Sequence, residues 1–419
     1  MACALVSLAL SLLLWLNGLV DSLSRPSVGN ALNRKQLELA VLAEPQLPAP
    51  LRPLLAGADP RKALQEALQQ EIKQAAESGT PAPPELLLEQ ALLEQRPEIS
   101  IERAAAGTPL RGLVGQWACE REQGPQACNS TAAGQRAARQ LLAVTVLPVL
   151  LMLLGAGLLL LELWQRWRGS ARPAPPLQGP PLSGLDAVLL IAGGFVVIGE
   201  LLTPLIATPL LGALLQSLAI TSPLNQGLSV VGLYLSLMAG PLLILALMLR
   251  GLKQRQPAPA GGWLQYRWQP LAGSAAAALR GFLMVLPLVS LVGWLQGLLW
   301  GDPGGSNPLL ELVLTSHNVP ALACFGFTAV VLAPLFEETI FRGVLLPVAA
   351  RRLGAAAGIG LSALVFAVAH LSLGELPPLL TLGLGLGWLR WSGGRLSSCV
   401  LMHAFWNALT FLNLIVLGW

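Results

Sequence analysis

From residue 140 to the C-terminus the sequence is dominated by apolar runs of about 20 residues, the length a helix needs to cross the hydrocarbon core of a bilayer. The runs lie near 141–163, 185–207, 228–249, 276–299, 320–346, 355–372, 376–390 and 397–417, and a further one occupies residues 4–20. They predict an all-α fold, a polytopic transmembrane helical bundle of eight to nine spans with an N-terminal extramembrane helical segment. Composition agrees: 54% of the 419 residues are hydrophobic and 11% are charged. A soluble domain carries about 25% charged residues, so a soluble globular protein is excluded. The net charge of +4 is not gathered on one solvent face, so nucleic acid is excluded as a partner. The expected partners are the lipid bilayer and a membrane-associated protein or peptide. Five cysteines show neither a CxxC pair nor metal-ligand spacing, which argues against structural zinc.

Charge density divides the chain. Residues 1–139 hold 13 Lys/Arg and 14 Asp/Glu, whereas residues 140–419 hold 13 and 8 over twice the length. The reading is a signal anchor or signal peptide at 1–21, an extracytoplasmic, loosely helical region at 22–139, N-terminal transmembrane helices at 140–300 and a transmembrane core at 301–419. The first run lacks the positive n-region usual in signal peptides, and retention and cleavage both stay open. Within 22–139, helix-forming pieces such as 61–77 are broken by prolines at 45–53 and 81–84. Cys119 and Cys128 flank a Gly124-Pro125 turn, as a disulfide or as two free thiols. Asn129-Ser130-Thr131 is a glycosylation sequon only if the chain passes through a secretory compartment.

Basic residues fall in alternate loops: Arg166, Arg168 and Arg172; Arg250, Lys253, Arg255 and Arg267; Arg351 and Arg352; Arg390 and Arg395. The intervening loops contain no Lys or Arg. The positive-inside rule places the basic loops in the cytoplasm and the N-terminal region and C-terminus outside. Trp164, Trp167, Trp300, Trp388 and Trp391 fall at span ends and read as interfacial anchors. Richness in Ala, Leu, Pro and Gly suggests a bacterial source, hence a bacterial inner membrane or another internal membrane.

Ionisable groups inside a bilayer are costly and usually functional. Within the expected spans they are Glu162, Glu200, Glu337, Glu338, Arg342, His370 and His403, with Asn407 as a buried amide. Most belong to the C-terminal quarter. Glu338 and Arg342 stand at i, i+4 on one helix face and can pair, which leaves Glu337 turned about 100° away. Counting 1.5 Å per residue from the turn at 352–354, Glu337 and His370 both lie about 25 Å from it, while His403 and Asn407, counted from Arg395, come shallower, at about 12–18 Å. Pro334 and Pro347 are expected to bend the helix that carries Glu337. A glutamate that takes a proton from water, with imidazoles and a carboxamide to hold an oxyanion, is equipment for amide hydrolysis. Cys399 is the only local thiol, with little support as a nucleophile. Glu200 reads as a structural hydrogen-bonding residue, and His317 receives no role.

The ordered set Glu337-Glu338-x-x-x-Arg342, Phe366-x-x-x-His370 and His403-x-x-x-Asn407, each on an expected membrane helix, resembles the CAAX prenyl protease and bacteriocin-processing family, and its type II CAAX prenyl endopeptidase branch in particular. The resemblance covers about residues 320–419. It implies an intramembrane endopeptidase, with a site opening towards the cytoplasm, in which Glu337 activates water, His370 assists it, His403 and Asn407 stabilise the oxyanion, and Glu338 and Arg342 form the supporting pair. The family has been described both as metal-dependent and as glutamate-dependent without metal. Two histidines and a glutamate could bind zinc, yet HExxH is absent, and the reading adopted has no cofactor. The region before residue 140 is not part of the family core. The rival readings are a non-catalytic bacteriocin-immunity or scaffold protein of the same fold, and a proton-coupled transporter using Glu200 and Glu337.

Overall fold

The computed structural model describes residues 1–25, 28–77, 81–94, 112–124, 127–170, 173–300 and 305–418; Pro125 and Arg172, used in the sequence reading, lie outside these. Every regular element among the described residues is helical. Among the described residues, seven helices are long and apolar enough to cross a membrane. The first is α1 (Ala2–Ser22). The extramembrane helices α2 (Val28–Ala43), α3 (Pro60–Glu77), α4 (Pro84–Leu93) and α5 (Gly112–Gln123) follow it. Then come α6 (Ser130–Trp167), α7 (Gly184–Ser217), α8 (Leu224–Lys253) and α9 (Leu271–Trp300), the short α10 (Pro308–Thr315), and α11 (Val319–Leu353). The protein is a multi-pass integral membrane protein.

Two of the expected spans differ from the rest. The run near 355–372 forms α12 (Ala355–Val368), whose 14 residues extend about 21 Å against a hydrocarbon core of about 30 Å. The run near 376–390 forms α13 (Leu376–Gly393), which carries several glycines and the buried Arg390 and is less apolar than the seven. These two helices pack on one another through small residues. A Cβ on Gly383 would lie 3.0 Å from Ala363 Cα, and one on Gly387 would lie 2.9 Å from Ile359 Cγ2. Gly358 meets the Ala350 backbone at 2.8 Å in the same way. In lipid, where apolar burial does little to join helices, such close backbone approach lets dispersion hold them together. The chain ends in α14 (Leu396–Gly418).

Proline sets the local geometry of α7 and α11. Three π-helical stretches, Leu189–Leu202, Thr328–Leu332 and Thr339–Leu345, each end two residues before a proline: Pro204, Pro334 and Pro347. Proline has no N–H, and its ring crowds the carbonyl four residues back. Widening the preceding turns to i→i+5 bonding relieves that clash without breaking the helix. The effect expected of Pro334 and Pro347 is thus realised as widened turns.

Residues 1–26 with 151–412 form one compact unit, and residues 27–150 with 413–419 form another. The core of the first is built from Phe195, Phe336, Phe341, Phe366, Leu386 and Met402 with their neighbours. The second has a small core of Val41, Leu64, Leu68, Leu86 and Leu113. Beside it the partly buried Arg34 pairs with Glu38, Glu71 and Glu89 at 2.8, 3.3 and 2.9 Å. Of the two alternatives open for Cys119 and Cys128, the structure contains the disulfide.

Candidate active site

Glu337 and Glu338 close an α-helical turn (Ala333–Glu338) set between the two π-helical stretches of α11. Adjacent residues on a helix point about 100° apart, so the two carboxylates enter different surroundings. Glu338 and Arg342 are wholly buried and paired, Arg342 Nη1 donating to Glu338 Oε1 at 3.0 Å. Arg342 Nη2 also donates to the Gly383 carbonyl at 3.0 Å, and its guanidinium lies 4.4 Å above the Phe366 ring. Arg342 Nε has no hydrogen-bond partner among the described residues, and Glu338 supplies the balancing charge.

His403 from α14 completes this group. Its Nδ1 lies 3.0 Å from Glu338 Oε1. A carboxylate only accepts, so Nδ1 carries the hydrogen, and Nε2 is the nitrogen left for chemistry. That nitrogen faces Glu337 Oε2 at 4.0 Å. Glu337 is held from its other side, with Tyr234 of α8 donating from its hydroxyl to Oε1 at 3.1 Å. Its Oε2 has no hydrogen-bond partner among the described residues. Glu337 keeps 15% of its side chain exposed against none for Glu338, with its Oε2 atom itself buried.

His370 and Asn407 are held in different ways, His370 across Phe366 from His403 and Asn407 one helical turn beyond His403 on α14. Phe366 packs edge-on against both imidazoles, with centroids 4.8 Å from His370 and 5.6 Å from His403, so the two histidines flank one ring. His370 Nδ1 bonds the Phe366 carbonyl at 2.8 Å, which leaves Nε2 unengaged. Asn407 Nδ2 donates to the Ala329 carbonyl at 2.7 Å, inside the first π-helical stretch of α11. Pro334 supplies no N–H to the carbonyls behind it, and the Asn407 amide meets that need. One of its two N–H bonds is therefore engaged by backbone.

Glu162 pairs with Arg166 and Arg280, both at 2.9 Å. Cys399 is fully buried, its thiol against the Leu386 carbonyl. Glu200, read from the sequence as a structural hydrogen-bonding residue, accepts from the Trp15 indole at 3.1 Å and lies within electrostatic reach of Glu337. Sequence reasoning did not find Tyr234, Tyr266 or Trp15. Rarity was the available signal for the first two: the chain has two tyrosines. Tyr234 bonds Glu337, and the Tyr266 hydroxyl bonds Thr339, two residues further along α11. A groove of about 400 Å³ runs beside this face of α11, lined mainly by apolar side chains such as Met238, Leu242, Leu245 and Phe336, with Tyr266 and Thr339 as its polar groups.

Residues 319–409 match the family model described as type II CAAX prenyl endopeptidase Rce1-like. This match covers 91 of the 419 residues. Glu337, Glu338, Arg342, His370, His403 and Asn407 all fall inside the matched stretch, whereas Trp15, Glu200 and Tyr234 lie outside it. A second match pairs residues 29–108 with a domain of unknown function (DUF8675). No curated protein and no solved structure matches the chain. Among the described residues, no group of three or more His, Cys, Asp or Glu is arranged to hold a metal ion.

Proposed function

We propose that the Rce1-like region is an intramembrane endopeptidase that hydrolyses a peptide bond of a membrane-associated protein or peptide, in a bacterial inner membrane or another internal membrane. The observation that carries this reading is the division of labour between two adjacent carboxylates. Glu338 Oε1 is taken by Arg342 and His403 in a wholly buried setting, while Glu337, the partly exposed one, sets its Oε2 beside His403 Nε2; the second oxygen of each carboxylate has no partner among the described residues. Water placed against Oε2 gives up a proton to Glu337 as its oxygen attacks the scissile carbonyl carbon. The carbonyl oxygen becomes an oxyanion, for which the remaining Asn407 N–H is a donor, as are His403 Nε2 and His370 Nε2 in rings that carry a second proton, Nδ1 of each already holding the first. Collapse of the tetrahedral species breaks the C–N bond, and the proton held by Glu337 passes to the departing amine. These steps use the side chains of this chain alone.

The apolar groove beside Phe336 and Thr339 supports an approach by a substrate segment that is itself apolar, or that carries a hydrocarbon group. The test compares the termini of membrane-proteome peptides from cells carrying the wild-type protein and cells carrying Glu337→Gln at matched abundance. Termini found only with the wild type establish proteolysis and identify the substrate. Coincident profiles, under conditions where loss of the protein has a phenotype, transfer the function to a non-catalytic protein of the same fold.

A further inference from the structure

The N-terminal helix α1 has the length and composition of a leader, yet it is fastened to the bundle on two sides of the site. In its middle, Ser11 Oγ donates to the Ala192 carbonyl at 3.1 Å, and four residues later Trp15 Nε1 donates to Glu200 Oε2 at 3.1 Å. Both acceptors belong to the π-helical part of α7, and Glu200 is within electrostatic reach of Glu337 and of Tyr234.

At its far end α1 grips the chain that leaves His370. Gly18 lies directly against Leu371, where a Cβ would fall 3.1 Å from the leucine side chain. The Arg25 guanidinium donates to the Leu371 carbonyl, and Ser22 Oγ accepts from the Leu373 N–H at 3.1 Å. The carbonyl of Arg25 itself accepts from the Gly305 N–H at 2.9 Å. Leu371 has φ +51°, a left-handed conformation that a leucine holds only where its surroundings fix it. His370 immediately precedes it, and its ring bonds the Phe366 carbonyl and packs against the Phe366 ring, both on α12. The direction of that imidazole therefore depends on the path of residues 371–373, which α1 determines.

We infer that α1 is a retained positioning helix of the active site: Gly18, Ser22 and Arg25 fix residues 371–373 and through them His370, while Trp15 fixes Glu200 beside Glu337. Retention and fastening stand by themselves, and the effect on turnover rests on the proteolytic reading above. Three measurements on the full chain test it. The intact mass of protein taken from the membrane is expected to include α1; a chain lacking residues 1–22 overturns the inference. The second measurement uses S372C in a background of Cys3→Ser and Cys324→Ser. Ser372 is 1% exposed, so the new thiol is expected to resist a maleimide, and Arg25→Ala is expected to speed its labelling about ten-fold, with Arg25→Lys restoring protection in part. Cys399, fully buried, stays unlabelled as long as the bundle is folded and so separates local release from unfolding. Labelling that is unchanged by Arg25→Ala overturns the inference.

The third measurement is turnover. Arg25→Ala is expected to lower it about ten-fold at matched abundance, again with partial rescue by Arg25→Lys. Cleavage that depends on Glu337 but not on Arg25 overturns the positioning role. If Glu337→Gln leaves every terminus unchanged while the mass and labelling results hold, the proteolytic reading fails and the fastening of α1 stands.

Discussion

Glu337 and Glu338 are neighbours in sequence and opposites in situation. Replacing Glu338 by Gln removes the counter-charge of a fully buried Arg342, and breaking a buried pair of this kind costs about 3–5 kcal/mol. Glu338→Gln is therefore expected to lower the melting temperature of the purified protein strongly, while Glu338→Gln combined with Arg342→Met recovers part of the loss. Glu337→Gln is expected to melt near the wild type and to lose cleavage by about 100-fold or more, the scale of a general base. Tyr234→Phe removes one hydrogen bond to a charged group, worth about 1.5–3 kcal/mol, so turnover is expected to fall about 10- to 100-fold in a cleavage assay. The Glu338–Arg342 pair was legible because i, i+4 neighbours meet on any helix. The Tyr234 contact spans 103 residues and was not, since no local period encodes a partner on another helix.

The π-helical stretches explain why depth counting along the elements succeeded in part. Counting from the turn after α11 placed Glu337 and His370 at one depth and left His403 shallower than both. The structure brings His403 against Glu338. Thr339–Leu345 lies within the stretch counted, and a widened turn takes more residues to cover the same length. The carboxylates are therefore nearer the turn than a uniform rise implies. The same geometry couples Asn407 to Pro334. In the wild type, Asn407→Ala leaves the Ala329 carbonyl unmet. In a Pro334→Ala background a backbone N–H becomes available to the carbonyls behind it, and the loss is expected to shrink. A double-mutant cycle read by thermal unfolding is expected to show about 0.5–1.5 kcal/mol of coupling, and strict additivity would contradict the assignment. The charge-poor spans were legible from apolar run length, whereas some helix ends were not: α6 starts at Ser130 and α7 ends at Ser217, about ten residues beyond their runs. The shortness of α12 was not legible either, because its run continues in sequence past the point where the helix ends at Val368.

At the scale of the whole molecule, the two compact units obey different chemistry. In the N-terminal unit, burial pushes the Glu89 carboxyl up to about 8, with the nearby Glu38 charge acting in the same direction and Arg34 against it. Between about pH 4.5 and 8 the folded unit then holds a proton that the unfolded chain has released, so this group's contribution to stability is complete below that range and is lost as pH rises through 8. Thermal unfolding of the full chain is expected to show an early transition that moves down between pH 6 and 9, and Glu89→Gln is expected to flatten the dependence. Reducing Cys119–Cys128, which closes a short loop, is expected to destabilise the same transition by about 3 kcal/mol. Composition alone distinguished the two chemistries, through the excess of charge before residue 140. It carried no sign that α1, apolar like the spans, is fastened beside the site.

The pairing of each π-helical stretch with a following proline bears on how this chain can change its length. A widened turn accommodates a residue that an ordinary α-turn excludes, so a one-residue deletion within Thr328–Leu332 can be absorbed by tightening that turn. The same deletion in the middle of α14 would rotate everything beyond it by about 100° and carry Asn407 off its face. Single-residue gains and losses are thus expected to gather just before Pro204, Pro334 and Pro347. Related sequences compared strictly position by position would place their polar residues one step out of register at those three points.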